Sequence, residues 1–186
     1  NAFFRFTTST PELTERAFAD LLKQEQRPLL ALALRFVGNI EEAKDLAQTA
    51  FIKLWQKRER LQTDRPARFY LRRMLVNLCI DHLRRKGRHE PMLELEEARL
   101  ASSTSDPQHQ LEREELQTRL QQCIELLSPK QKAVLLLRDV EGYSVAETAD
   151  MLACSQNTVL GNLHLARKKV KEKMQVWMRA TESQCS

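Results

Sequence analysis

The chain has 186 residues and a formal net charge of +5, so its length permits one ordinary domain or two small ones and its charge favours an anionic partner. Only four glycines and two tyrosines, with no strand-like alternation, predict an all-α protein. The four cysteines are scattered without a C-x-x-C pair, and the longest apolar stretch, residues 29–37, is too short to cross a bilayer, which argues against a disulfide framework, a zinc site and a membrane span.

The first part of the chain carries signals for two helices before residue 39. Thr10-Pro11-Glu12 is typical of a helix start, with a capping hydroxyl and a proline at the first helical position. Pro28 predicts either the start of a second helix or a kink. Gly38 then predicts a left-handed cap at the end of that apolar helix.

Two further helices are expected up to about residue 86. Asn39 with Glu42 predicts the start of a third helix, in which apolar residues recur at spacings of three and four from Ala43 to Trp55. Pro66 opens a fourth helix that we expect to reach about Lys86. Between residues 53 and 88 twelve Lys and Arg stand against three Asp and Glu, which favours a nucleic-acid partner over a merely solvated surface.

A change of composition divides the chain. After residue 88 comes an acidic piece and then a Ser/Thr/Asp/Pro run, which predicts a flexible linker over 89–110. We therefore expect two small helical domains, 1–88 and 111–186. Two domains joined in this way can grip separated sites on one extended partner.

The second domain shows a helix-turn-helix pattern. Ser128 with Gln131 and Ser144 with Glu147 both fit the capping box, in which side chains satisfy the free amides at a helix start. A tight turn at Ala153-Cys154 and a third helix start at Ser155 follow. A short helix, a three-residue turn and a second helix place that second helix to enter a major groove.

In three segments the chain resembles the two-domain bacterial sigma factors of the extracytoplasmic-function group. GNIEEAKDLAQTAFIKLW resembles the family's segment that docks on RNA polymerase, and RPARFYLRRMLVNLCIDHLRRKGR resembles the segment that melts and reads the minus-ten promoter element. LSPKQKAVLLLRDVEGYSVAETADML is similar to the entry to the domain that reads the minus-thirty-five element. The resemblance covers nearly everything from about Phe18 to Lys173 and implies a first domain of the family's region 2 type and a second of its region 4 type.

The resemblance implies binding sites and no catalytic residue. Core RNA polymerase would contact Asp45, Gln48, Phe51 and Trp55, although Thr49 and Ala50 depart from the family's usual Glu and Thr. Promoter DNA would contact, in the first domain, Arg65, Arg68, Phe69, Tyr70, Arg72, Arg73, Asn77, Arg84, Arg85 and Lys86. In the second domain it would contact Ser155, Gln156, Asn157, Thr158, Asn162, His164, Arg167 and Lys168. Phe51 and Trp55 could instead belong to the core, although the resemblance favours docking. Phe69 and Tyr70 could equally belong to the core.

The recognition helix departs from the family pattern. Leu160, Asn162 and Leu165 stand where basic residues are usual, and Gly161 interrupts the helix. Fewer basic contacts reduce phosphate neutralisation, whereas Gln and Asn side chains still suit adenine edges. We interpret this as an altered sequence preference, with polymerase acting as the tether; the alternative is a domain that no longer reads DNA.

The predicted function is that of an alternative sigma factor, controlled by an anti-sigma factor that in this family is often membrane-anchored. The rival hypotheses are a sigma-like decoy that occupies an anti-sigma factor, and an operator-binding repressor. No phosphate-cradling glycine loop or catalytic constellation is apparent, so we expect no enzyme activity, no cofactor, no metal and no small-molecule substrate. No signal-peptide pattern is found, and we expect a soluble, cytoplasmic protein.

Overall fold

The computed structural model describes residues 13–61, 65–89, 116 and 118–184 of the chain. All regular structure in these ranges is helical, which confirms the predicted all-α class. The helix start predicted at Thr10-Pro11-Glu12 and nearly all of the linker predicted over 89–110 lie outside the described residues. None of the described helices has an apolar run long enough to cross a lipid bilayer.

Helix α1, Glu15–Val37, is a single helix where two were predicted. It begins at Thr14, whose hydroxyl accepts a hydrogen bond from the amide of Ala17, and it ends at Gly38, which has φ 75°. Pro28 lies inside it, so the prediction of a second helix start was wrong. An interior proline costs about 3 kcal/mol, and the helix continues because the residues after it, Leu29, Leu32 and Phe36, are fully buried.

Helix α2, Ile40–Gln56, begins at Asn39, whose side-chain oxygen accepts from the amides of Glu41 and Glu42 at 2.9 and 3.0 Å. A short 3-10 turn, Arg58–Arg60, follows, and α3 runs from Ala67 to His89 after Pro66. The three helices α1, α2 and α3 pack on one another around a common apolar core and are here named the front module.

The remaining described helices, here named the rear module, are α4 (118–125), α5 (Pro129–Leu135), α6 (Val145–Met151) and α7 (Gln156–Gln184). Both predicted capping boxes are present, at Ser128 and at Ser144. A π turn, Leu136–Val140, extends α5. The turn between α6 and α7 contains Ala153 at φ 48°, a left-handed conformation that glycine adopts more readily. The helix-turn-helix prediction is therefore confirmed in α6 and α7.

One apolar core runs through both modules. Leu136, Leu137 and Met151 of the rear module are fully buried in the same cluster as the core residues of α1, α2 and α3. A smaller cluster around Val134, Val159 and Leu163 holds the rear module together internally. As a result α5 and α6 lie against α3, the helix predicted to contact the promoter.

Candidate polymerase and nucleic-acid interfaces

An open apolar pocket of about 490 Å³ lies between α1 and α2. Its lining residues are Phe18, Leu22, Gln26, Leu30, Lys44, Ala47, Gln48, Phe51, Ile52, Trp55 and Gln56. Three of the residues predicted to dock on polymerase therefore meet here, namely Gln48, Phe51 and Trp55. Asp45 is exposed on α2 and does not line the pocket.

The aromatic side chains of the pocket brace one another. Phe51 is 9% exposed, and the rings of Phe18 and Trp55 lie 4.9 Å apart between centroids. The guanidinium of Arg58 lies 4.3 Å from the centroid of the Trp55 ring and donates a hydrogen bond to the Trp55 carbonyl. Phe51 thus belongs to the core and to the pocket at once. Trp55 is half-buried and lines the pocket, where it packs against Phe18.

Sequence reasoning missed the α1 side of this pocket. Phe18, Leu22, Gln26 and Leu30 follow one another at spacings of four and so share one face of α1. On α2, Ile52 was also missed, although its side chain is 48% exposed. The spacing of four on α1 is a signal that could have identified this wall in advance.

The first half of α3 holds its basic side chains in ion pairs. Arg72 is 12% exposed and donates from Nη2 and Nε to Glu25 of α1 at 3.0 and 3.2 Å. It also pairs with Glu141 of the rear module. Arg68 shares Glu25 at 3.7 Å, although its own side chain is 62% exposed. Arg72 is therefore a partly buried cation held by two carboxylates, as well as a predicted phosphate contact.

Three other predicted DNA contacts of the front module also face the rear module. Arg73 Nη1 lies 3.1 Å from Asp150, and Arg65 Nη1 lies 3.5 Å from Glu147. The Asn77 amide donates to the carbonyl of Met151 at 3.4 Å. In this arrangement the rear module occupies the side chains that the sequence assigns to the promoter strand.

The aromatic pair on α3 is divided between core and surface. Phe69 is 5% exposed, with the Tyr70 and Tyr143 rings edge-on at 5.9 and 6.2 Å and the Arg65 guanidinium 4.9 Å from its centroid. Tyr70 is half-buried. Phe69 therefore offers no stacking face to an unpaired base here, since Tyr143 of the rear module packs against it.

The basic end of α3 is open to solvent. Arg84, Arg85 and Lys86 are exposed, with Arg84 3.7 Å from Asp81 and Lys86 Nζ 3.0 Å from Glu42. Burial would raise the pKa of Glu42, but hydrogen bonds from Lys86 and His82 outweigh it, and the pKa lies below its ordinary value. Since Glu42 lies on α2, this carboxylate fastens the end of α3 to its neighbour.

The recognition helix α7 presents a polar face of low charge. Gln156, Asn157 and His164 are exposed, as are Leu160 at 50% and Gly161. Val159, Leu163 and Ala166 lie on the opposite side, buried in the core of the rear module. The outward residues at positions 156, 157, 160, 161 and 164 form the reading face.

The other predicted contacts of α7 have partners within the rear module. Ser155 Oγ accepts from the amide of Thr158 at 3.1 Å and so caps the helix. The Asn162 amide donates to the Thr158 carbonyl at 2.8 Å. Arg167 bonds Asp139 through two nitrogens, which raises the pKa of its guanidinium, and Lys168 lies 3.9 Å from Glu172. Asn162 is thus directed along its own helix rather than outward.

Two family models match the chain: Sigma-70 region 2 over residues 21–89, and Sigma-70, region 4, over residues 117–170. The first contains the pocket helix α2 and all of α3, and the second contains the helix-turn-helix. The order of the two matches is the order of the two modules.

Curated relatives and solved structures agree with these matches. The RNA polymerase sigma-H factor of Pseudomonas aeruginosa is 29% identical over 173 residues, which are 89% of this chain and 90% of the relative. The RNA polymerase sigma-E factor of Streptomyces coelicolor is 32% identical over 84% of this chain and 85% of the relative. ECF RNA polymerase sigma factor SigW of Bacillus subtilis is 27% identical over 85% and 89%.

Two solved structures share the fold. The sigma factor RpoE of Bartonella quintana, crystallised with the anti-sigma factor NepR, superposes with a TM-score of 0.69 at 20% identity over 87% of this chain and 98% of that one. CnrH, solved with the cytosolic domain of CnrY, gives a TM-score of 0.64 at 23% identity over 88% and 90%. With both sigma regions present in order and relatives matched along most of their length, the chain belongs to the extracytoplasmic-function group of RNA polymerase sigma factors.

Proposed function

We propose that this sigma factor docks on core RNA polymerase through the pocket between α1 and α2 and directs initiation at its own set of promoters. The observation that carries the proposal is the pocket itself, an uncovered apolar groove with polar side chains at its rim. Such a groove suits the apolar face of a partner helix, with Phe51 and Trp55 as aromatic anchors. Gln48 and Lys44 at the rim supply hydrogen bonds and charge that orient that helix.

The two modules divide the promoter between them in this proposal. The domain containing α3, residues 1–88, holds the separated strand of the minus-ten element, and its arginines neutralise phosphates. The domain of residues 111–186 reads the minus-thirty-five element as intact duplex through the reading face of α7. The work is binding rather than catalysis, and it takes place in the cytoplasm, where transcription occurs.

An anti-sigma factor is the regulator we propose. The sigma factor RpoE of Bartonella quintana was solved in complex with the anti-sigma factor NepR, and CnrH was solved in complex with the cytosolic domain of CnrY. The same apolar groove and basic helix that serve polymerase and DNA would be the surfaces for such an inhibitor to cover.

The docking proposal is tested with Ile52→Asp. Ile52 is 48% exposed at the pocket edge, so an aspartate there leaves the fold intact and yet places a charge where a partner helix must be dry. We expect association with core polymerase to weaken by roughly tenfold or more and promoter-specific transcripts to fall with it.

Val176→Asp is the matched control, because Val176 is an exposed apolar residue, 62% accessible, on the far part of α7. It should leave polymerase association unchanged. Equal association of the Ile52→Asp and wild-type proteins would contradict docking at this pocket.

The decoy hypothesis keeps some support from the low charge of α7, where Leu160, Asn162 and Leu165 replace basic residues. A decoy would bind an anti-sigma factor and give no promoter-specific start with core polymerase on any template. Transcription in vitro on genomic templates, followed by mapping of the transcript starts, separates the two functions.

A further inference from the structure

The rear module carries a small acidic surface at the place where it meets α3. Glu141, Glu147 and Asp150 lie against Arg72, Arg65 and Arg73. Helix α6, VAETADM, contributes two of these carboxylates and has no Lys or Arg. The first helix of a helix-turn-helix normally crosses the DNA backbone, where acidic side chains are unfavourable. The composition of α6 suits the arginines of α3 better than it suits phosphates.

Buried side chains also contribute to the interface between the rear module and the front module. Met151 and Leu137 are fully buried at the seam, and Phe69 packs edge-on against Tyr143. Lys132 is 4% exposed and donates from Nζ to the carbonyl of Phe36, at the end of α1, at 3.0 Å. Burial lowers the pKa of this ammonium, so the seam holds a cation that would be better hydrated if the modules parted.

Gly38 lets the modules approach closely at the same end of α1. A Cβ added there would lie 3.2 Å from Glu125 Oε1 of α4. Next to it, Gln121 of α4 donates to the carbonyl of Arg35 at 3.4 Å. Polar hydrogen bonds, ion pairs and apolar packing therefore all join the two modules, as in a specific interface rather than an incidental touch.

This closed arrangement is incompatible with simultaneous reading of both promoter elements. Elements centred at minus ten and minus thirty-five lie about 25 base pairs apart, or roughly 85 Å along the duplex. The two modules are in direct contact, with Arg73 3.1 Å from Asp150. The 26 residues from 90 to 115 can reach about 90 Å when extended, so the chain is long enough for the modules to separate.

We propose that the rear module is an internal competitor for the promoter strand: its acidic surface takes the places of DNA phosphates on α3 and keeps the unengaged protein from binding DNA. The inference rests on the proposed function, because it assumes that α3 contacts DNA. The pocket between α1 and α2 uses other residues, so polymerase can dock on the closed chain. Inhibition therefore acts on DNA binding and not on docking.

Opening the interface should release α3. In Glu141→Gln/Asp150→Asn the front module keeps its own Glu25–Arg72 pair, and the Glu147 carboxylate still accepts from the Ser144 amide at the start of α6. We expect a larger radius of gyration by small-angle X-ray scattering. Binding of a labelled 20-nucleotide oligodeoxythymidine without polymerase should tighten by roughly tenfold, because apparent affinity scales with the fraction of competent molecules.

Loss of two negative charges could by itself raise the affinity for DNA, so a control with the same change in charge is needed. Glu59→Gln/Asp81→Asn removes the same charge from exposed positions beside Arg58 and Arg84, away from the interface. It should leave the radius of gyration unchanged and tighten DNA binding by less than about twofold, because exposed pairs contribute little. Equal tightening in the two double variants would overturn the proposal.

Lys132→Glu gives a second, opposite test. Lys132 lies on α5, where it faces the Phe36 carbonyl at the end of α1 and the carboxylate of Glu125. A glutamate at this position is repelled by both groups and should push the modules apart, and it also makes the protein more negative. Simple electrostatics predicts weaker oligonucleotide binding, whereas release of α3 predicts stronger binding and a larger radius of gyration. Weaker binding by this variant, with the fold retained by circular dichroism, would refute internal competition.

The same variants assayed with core polymerase separate this inference from the proposed function. Promoter-specific transcripts together with unchanged oligonucleotide affinity in both opened variants would overturn internal competition alone. Failure of the wild-type chain to associate with core polymerase would instead overturn the proposed function.

Discussion

Helices α3 and α7 are both predicted to contact promoter DNA, and they differ in charge and in accessibility. The first half of α3 carries Arg72 and Arg73, and Arg65 lies just before the helix. Each of these arginines is paired with a carboxylate of the rear module. The reading face of α7 carries little charge, yet Leu160 is half exposed and His164 is open to solvent. The number of basic side chains sets how many DNA phosphates a surface could contact. The packing of the two modules determines how many of those side chains are accessible.

The same contrast recurs within α3. Arg72 lies between Glu25 and Glu141 with 12% of its side chain exposed, whereas Arg84 is 46% exposed. Withdrawing a cation from water is costly unless carboxylates compensate it, so Arg72 is held by its partners. Arg84 and Arg85 remain hydrated, so they can exchange water for phosphate oxygens with little loss of free energy. In the proposed function, the exposed basic end of α3 is therefore the part expected to meet DNA first.

The largest effect is expected from Arg84→Ala/Arg85→Ala. Loss of two phosphate contacts should lower promoter opening by roughly tenfold or more on every promoter tested, because such contacts carry no sequence information. The slope of log affinity against log salt should become shallower by about 1.4 to 1.8. Open-complex formation with core polymerase, measured at several salt concentrations, checks both numbers.

Arg16→Ala/Arg27→Ala is the matched control, since both arginines are exposed on α1, outside the basic face of α3. It removes the same charge and should leave the salt slope unchanged. If both double variants lowered promoter opening equally, net charge rather than the end of α3 would be responsible.

Sequence reasoning succeeded for features that depend on residues close together in the chain. The capping boxes at Ser128 and Ser144 were predicted from residues three positions apart, and Asn39 was predicted to begin α2. The pocket was half predicted for the same reason: Gln48, Phe51 and Trp55 share one helix, whereas the wall from α1 comes from another.

The failures concern contacts between distant residues. Arg72 meets Glu25 across 47 positions and Arg73 meets Asp150 across 77 positions, and no periodicity encodes such pairs. The sequence does not decide whether Phe69 stacks on a base or belongs to the core, because its burial depends on Tyr143 from the other module. Pro28 was misinterpreted because tertiary packing after it outweighs its local effect.

An intermediate effect is expected from His164→Ala on the reading face of α7. A mismatched base pair in a recognition site costs about 1–3 kcal/mol, and a ring nitrogen that bonds a base edge would contribute to that discrimination at one position. Selection of upstream sequences from a randomised duplex library, with polymerase present, should lose its preference at one position. Lys168→Ala is the contrast: it should weaken all sequences alike and reduce the salt slope by about 0.9. An unchanged preference with His164→Ala would remove that side chain from base reading.

The smallest effect, and the one that best separates stability from binding on α7, is expected from Gly161→Ala. Among the described residues, no atom outside the adjacent backbone of its own helix lies within 4 Å of a Cβ built at Gly161, so the methyl fits. Alanine in a helix interior is more stable than glycine by about 0.5–1 kcal/mol. Urea unfolding should show that gain.

Gly161 lies on the exposed reading face, so a glycine kept there at a cost in stability is explained if the DNA backbone or a base approaches the helix closely. Gly161→Ala should then weaken duplex binding severalfold while it stabilises the protein. Gly87→Ala, where the described part of the chain likewise leaves open space around the Cβ, tests the helix-propensity gain on α3 by urea unfolding. If Gly161→Ala stabilised the protein and left duplex affinity unchanged, close approach at this position would be excluded, and the reading face would depend on its side chains alone.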